Sequence, residues 1–188
     1  MIEHLRWLPN AVTLIRVCLV FPLIITLAQR AYEVALVILV LAAVTDCLDG
    51  ILARWLKVQS PLGTTLDSAA DRLLVLAGFA LLAIQGHLPD ALFWLVLARD
   101  MSILLVMLAF HAQSGTLHAN PDCLGRLSTT LQWLLLVVVL LQLVQTAIVL
   151  PYQLKSICIA LVAISTLLSG VHYAWRARRG LRSGVSAS

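Results

Sequence analysis

Long apolar runs separated by short polar breaks organise this chain. Runs at 11–29, 33–53, 63–85, 90–112, 125–149 and 153–175 approach or exceed the roughly 20 residues a helix needs to cross a bilayer. The breaks read "AQRAYE", "KVQSP", "QGHLPD", "SGTLHANPDCLG" and "LPYQLK". Pro61, Pro89, Pro121 and Pro151 all fall in them, where a missing amide donor does least harm. The pattern predicts an all-α protein, an integral membrane bundle of six transmembrane helices forming one domain over 1–188. There is no internal repeat and no low-complexity tract.

Composition strengthens the membrane reading. The chain is 61% hydrophobic with a mean hydropathy of +0.98, whereas soluble domains lie nearer half apolar. Its 188 residues leave no room for a separate soluble domain beside six spans. The first apolar run is too long for a cleaved signal peptide and carries Arg16, so a retained helix is expected.

Charge then sets orientation. With both termini on one side, that side holds Arg6, Arg54, Lys57, Arg126, Arg176, Arg178, Arg179 and Arg182, against Arg30 and Lys155 opposite. This eight-to-two asymmetry places both termini in the cytoplasm. The basic tail "WRARRGLR" reads as a topology anchor beside anionic lipid, not as a nucleic-acid site. Cys18, Cys47, Cys123 and Cys158 show no CxxC spacing and read as small apolar fillers. The histidines form no HxxxH pair, which argues against a histidine metal site.

The stretch "TDCLDGILARWLKVQSPLGTTLDSAADRL", Thr45 to Leu73, breaks the apolar pattern in a different way. It sets Asp46, Asp49, Asp67 and Asp71 in or beside two spans, where an uncompensated carboxylate is costly. Asp46 and Asp49 are three apart and Asp67 and Asp71 four apart, so each pair shares a helix face. In the predicted topology all four gather at the cytoplasmic end of one helical hairpin. Four carboxylates match two hard divalent cations, Mg²⁺ or Mn²⁺, in charge and ligand type. Gly50 and Gly63 leave room for a ligand, and Arg54, one turn past Asp49, can meet a phosphate. Taken singly, each has an ordinary structural reading: a buried hydrogen bond, a packing glycine, an interface anchor. Together they suggest metal-assisted chemistry on a phosphorylated substrate. A divalent-cation transporter would also use paired carboxylates, but it leaves Gly50, Ala53, Arg54 and Gly63 unexplained.

Asp46, Asp49, Gly50, Ala53, Arg54, Gly63, Asp67 and Asp71 fit D-x2-D-G-x2-A-R-x8-G-x3-D-x3-D without a gap. In this the chain resembles the CDP-alcohol phosphatidyltransferases, as it does in its six-span layout and in "LPNAVTLIR", which carries Asn10 and Thr13. The resemblance implies that an alcohol attacks the lipid-linked phosphorus of CDP-diacylglycerol and that CMP leaves. It implies that Asp46, Asp49, Asp67 and Asp71 hold two metals and that Asp71 also takes the acceptor proton. Gly50, Arg54, Gly63, Asn10 and Thr13 would bind CDP-diacylglycerol. It also implies a homodimer in a membrane, here expected to be the bacterial inner membrane with the active site on its cytoplasmic side.

The acceptor is read from the fourth and fifth spans. Members that use glycerol 3-phosphate resemble one another in "ARE", an arginine eight residues further on, and two lysines two apart in the next helix. Here those places hold "ARD" at Ala98 to Asp100, Met107, Arg126 and Ser128. The "RD" pair and the polar Ser128 look closer to members that use phosphatidylglycerol. That acceptor, giving cardiolipin, is the expected one, with glycerol 3-phosphate as the alternative. Arg99 and Arg126 are the candidate acceptor-binding residues. Arg99 could equally form a structural ion pair with Asp100, and Arg126 could equally be a topology charge.

Overall fold

The computed structural model describes residues 8–56, 61–114, 123–144 and 151–185, with side chains described over 17–45, 70–105, 124–144, 151 and 153–172. Every regular element among them is an α-helix: α1 (Leu8–Ala28), α2 (Tyr32–Leu56), α3 (Pro61–Ile84), α4 (Asp90–Ser114), α5 (Cys123–Leu143) and α6 (Tyr152–Val185). All six expected helices are present, with most ends within three residues of expectation. Two C-termini differ: α5 ends at Leu143 where 149 is expected, with 145–150 outside the described residues, and α6 runs ten residues past 175 through the basic tail. Arginine, alanine and leucine are good helix formers, and cations suit a helix C-terminus, so charge did not end the helix. Among the described residues, Leu124–Leu143 and Gln153–His172 are apolar helices of membrane length, and Val17–Ala28 and Tyr32–Thr45 are shorter apolar ones.

The chain divides into two compact units. The first holds Met1–Leu88 with Leu136–Pro151, and the second holds Pro89–Leu135 with Tyr152–Ser188. In the first, α1 packs against α2 and α3. Leu23 and Leu27 of α1 meet a core of Ala35, Leu39 and Ala42 from α2 and Leu74, Phe79 and Leu82 from α3, all at most 1% exposed. The alanines let the helices approach closely, the usual means of packing where lipid gives no hydrophobic drive. Gly78 does the same for α5: a Cβ there would lie 3.1 Å from both Leu136 methyls. Phe21, Ile25, Val37 and Leu73 are exposed on the outer faces, as lipid-facing residues would be.

Two turns at one end of this unit are closed by the same device. After α1, the Arg30 amide donates to Leu27 O (3.0 Å) and the Ala31 amide to Thr26 O (2.8 Å). After α3, Gly86 donates to Ala83 O and His87 to Leu82 O, both at 2.8 Å. This Schellman closure puts one residue in the left-handed region: Gly86 at φ 76° and Arg30 at φ 58°. The two turns are then joined by a directed chain of hydrogen bonds. Gln85 Nε2 donates to Leu27 O at 2.6 Å, which leaves Gln85 Oε1 to accept from the Tyr32 hydroxyl at 3.1 Å. That hydroxyl has no second proton, so its 3.1 Å contact with His87 Nε2 requires the histidine to donate.

In the second unit α4 packs against α6, and the first part of α5 joins α6 through Ser128 Oγ and Thr166 Oγ1, 3.3 Å apart. Leu92, Val96, Leu135, Cys158 and Val162 are buried; the position of Cys158 suits the filler reading. Arg99, Asp100, Ser128, Gln132, Thr166 and Ser169 are buried as well, and all the buried polar residues among those described lie in this unit. Trp94, Leu105, Ile164 and Val171 are exposed. Polar groups inside and apolar groups outside is the arrangement expected in lipid. Among these buried groups, Gln132 Nε2 makes no hydrogen bond.

Two stability tests follow from these packing details. Arg30 holds a conformation that costs a residue bearing a Cβ about 1 kcal/mol or more, whereas Gly86 does not. Arg30→Gly should therefore raise the thermal midpoint in detergent, and an unchanged or lower midpoint would contradict the assignment of strain. Gln132→Met keeps the volume and removes an unpartnered donor, so it should stabilise by about 1–3 kcal/mol. A lower midpoint would mean that the amide has a partner.

Candidate active site

The motif lies in α2 and α3, two helices of the first unit. On α2 the buried face is marked by Ala35, Ile38, Leu39 and Ala42. Continuing in steps of three and four residues reaches Asp46, Asp49, Gly50 and Ala53, all within the same helix. On α3 the buried residues Leu74, Val75 and Gly78 lead back through Asp71 to Asp67 and Gly63 in the same way. Each helix thus carries an apolar stripe that turns acidic toward one end. Thr45, just before Asp46, turns its hydroxyl onto its own helix, donating to Leu41 O (2.9 Å) and Ala42 O (2.8 Å).

Asp71 is half-buried beside Ala70, which is 1% exposed. The backbones of Asp46, Asp49, Gly50, Arg54, Gly63 and Asp67 are helical, and those of Asn10 and Thr13 lie in α1; the side chains of all eight lie outside the described residues. Among the described residues no group of three His, Cys, Asp or Glu side chains converges. The fit of a metal pair therefore rests on the donor set. Four carboxylates give hard oxygen ligands and balancing charge for Mg²⁺ or Mn²⁺, and beside them the motif has no histidine and a single cysteine, Cys47, too few soft donors for a soft metal.

The acceptor-side candidates lie in the second unit. Arg99 and Asp100 form the ion pair that their adjacency allowed, with Nη1 to Oδ1 at 2.7 Å and both side chains at most 4% exposed. The Arg99 guanidinium is shared further. Nη2 donates to Gly125 O and to Ser169 Oγ, each at 3.2 Å, and Nε lies 3.4 Å from Ser169 Oγ. Arg126, the next residue along α5, is exposed. Sequence reasoning did not single out Ser169 or Thr166. A small hydroxyl hardly lowers the hydropathy of an apolar run, and the usable signal was their three-residue spacing on α6, which matches the Gly125–Ser128 spacing on α5.

Comparisons with known proteins agree with the motif. The chain is 31% identical over 111 residues to the cardiolipin synthase (CMP-forming) of Homo sapiens, covering 58% of this chain and 36% of that protein. It is 40% identical over 95 residues to the cardiolipin synthase (CMP-forming) of Streptomyces coelicolor, covering 50% and 44%. A probable phosphatidylglycerophosphate synthase of Mycobacterium tuberculosis is 29% identical over 189 residues, covering 95% and 87%. The chain thus spans less than half the length of the two cardiolipin synthases. The sequence model described as CDP-alcohol phosphatidyltransferase matches residues 6–171, which takes in the whole motif and all but the ends of the chain, and the protein belongs to that family.

Proposed function

We propose that this protein moves the phosphatidyl group of CDP-diacylglycerol to an alcohol, releasing CMP, and that the acceptor is phosphatidylglycerol, so that the product is cardiolipin. The observation that carries the reaction type is the gapless motif, whose residues lie in α2 and α3. Asp71 accepts the proton of the attacking hydroxyl. The hydroxyl oxygen bonds to the lipid-linked phosphorus as the bond from that phosphorus to the CMP oxygen breaks. Gly50 and Gly63 give the nucleotide and diphosphate room, and Arg54 pairs with phosphate oxygens. Asn10 and Thr13 offer hydrogen bonds to the same substrate. Asp46, Asp49, Asp67 and Asp71 would hold two divalent cations, which when bound offset charge on the diphosphate and the leaving CMP.

Three considerations support phosphatidylglycerol as the acceptor. Two relatives are named as cardiolipin synthases. Positions 107 and 128, basic in enzymes that grip glycerol 3-phosphate, are Met107 and Ser128. Every nitrogen of Arg99 already has a protein partner, which leaves Arg126 as the candidate cation at the acceptor. Glycerol 3-phosphate remains the second reading, favoured by the near full-length similarity to a phosphatidylglycerophosphate synthase. The family is membrane-associated. We place the chain as a single domain with six spans and both termini in the cytoplasm, in a bacterial inner membrane, acting as a homodimer. The charge asymmetry and the exposed apolar faces support that placement.

Purified protein in micelles with CDP-diacylglycerol and Mn²⁺ should release CMP and convert phosphatidylglycerol to cardiolipin, detected by mass spectrometry. It should turn over glycerol 3-phosphate poorly. Formation of phosphatidylglycerophosphate without cardiolipin would reverse the choice of acceptor, and full activity after exhaustive chelation would remove the metals. Asp71→Asn should lower turnover by about 10²–10⁴-fold while CDP-diacylglycerol still binds. A wild-type rate in that variant would rule out Asp71 as the base.

A further inference from the structure

We propose that Arg99 is a positioning residue, one that touches no substrate but holds the peptide joining Gly125 to Arg126 and so fixes where Arg126 meets the acceptor. The proposal rests on the reading of Arg126 as the acceptor-side cation.

The geometry that points to this is the use made of the Arg99 guanidinium. Nη1 donates to Asp100, Nη2 to the Gly125 carbonyl and to Ser169, and Nε to Ser169. Arg99 is 4% exposed and Asp100 5%. A cation that grips an anionic substrate needs free donors and uncancelled charge. This one has a partner at each nitrogen, and its charge is met at 2.7 Å by Asp100. Its planar fork instead spans three helices at once, a task an ammonium could not perform.

The Gly125 carbonyl is the informative partner. It belongs to the same planar peptide as the Arg126 amide, so a donor on that oxygen fixes the plane from which the Arg126 side chain departs. The first turn of α5 is also braced from within. The Thr129 hydroxyl donates to the same Gly125 carbonyl at 3.1 Å, and the Thr130 hydroxyl donates to the Arg126 carbonyl at 3.0 Å. Ser169 anchors the other end of the clamp on α6. Arg126 itself stays exposed, held at its backbone and, among the described residues, with no ion-pair partner for its charge.

A double-mutant cycle on the purified full-length protein, read as the acceptor KM at saturating CDP-diacylglycerol, tests this. Arg126→Ala and Arg99→Gln should each raise the KM for phosphatidylglycerol, on the order of tenfold for loss of one charge-assisted contact. The double variant should be no worse than the worse single, because both changes disable one contact. Ser169→Ala should move the same KM in the same direction by a smaller factor. Multiplying effects of Arg99→Gln and Arg126→Ala, with Ser169→Ala silent, would show that Arg99 binds the acceptor directly and would overturn the proposal. So would an unchanged acceptor KM in Arg126→Ala. A second readout does not depend on turnover. Hydrogen exchange in a peptide covering 124–130 should quicken in Arg99→Gln, and unchanged exchange there would remove the clamp. If the unmodified enzyme released no CMP with any alcohol, the proposed function would fail while the exchange result still judged the clamp.

Discussion

Burying a charge in an apolar unit is the constraint on which the second half of this molecule depends. Arg99 and Asp100 stand at most 5% exposed within helices whose outer faces carry Trp94, Leu105, Ile164 and Val171. Removing one partner of such a pair leaves the other uncompensated, at a cost of about 3–5 kcal/mol. The pair is tolerated because Nη2 and Nε also find acceptors, Gly125 O and Ser169 Oγ. Those two acceptors come from α5 and α6, so satisfying the charge also sets the placing of three helices. Apolar packing alone would let them slide by a turn with little penalty; a guanidinium fork would not.

The first unit solves the opposite problem. Its described core is apolar, built with small residues at the closest approaches: Ala35 and Ala42 on α2, Gly78 against Leu136. Close, rigid packing of α2 and α3 with α1 gives the motif two firm helical supports, and each stripe stays apolar until it reaches its aspartates. The turns at one end are tied together through Gln85, Tyr32 and His87. Under the proposed two-metal reading, the carboxylates must be held against their own repulsion, and stiff helices do that better than loops.

Most of this was legible in the sequence because lipid makes the penalties large. Apolar runs of about 20 residues marked the helices, and Pro61, Pro89 and Pro151 marked breaks between them. Four aspartates in such a setting stood out because charge there is expensive. The tail was misjudged: arginine reads as a break on a hydropathy scale, yet it is a good helix former, and α6 continues to Val185. The left-handed Arg30 was illegible, since residues other than glycine seldom close a Schellman turn. Ser128, Gln132, Thr166 and Ser169 were nearly silent as well. Short polar side chains perturb an apolar average little, and only their spacing on facing helices marks them as a buried set.

The choice of acceptor is in the end a matter of electrostatics. A glycerol 3-phosphate site must hold a dianion, which calls for several donors with uncancelled charge. A phosphatidylglycerol site must hold a neutral diol on a lipid whose single phosphodiester charge can stay at the membrane surface. This chain commits its buried arginine to an aspartate, a serine and a carbonyl, and it places Met107 and Ser128 where further cations would be needed. One exposed arginine suits a singly charged lipid better than a dianion. Under the proposed reading, the arginine charge that could have met a phosphate is turned inward to hold the helices, and an acceptor that needs no second cation is the one that fits.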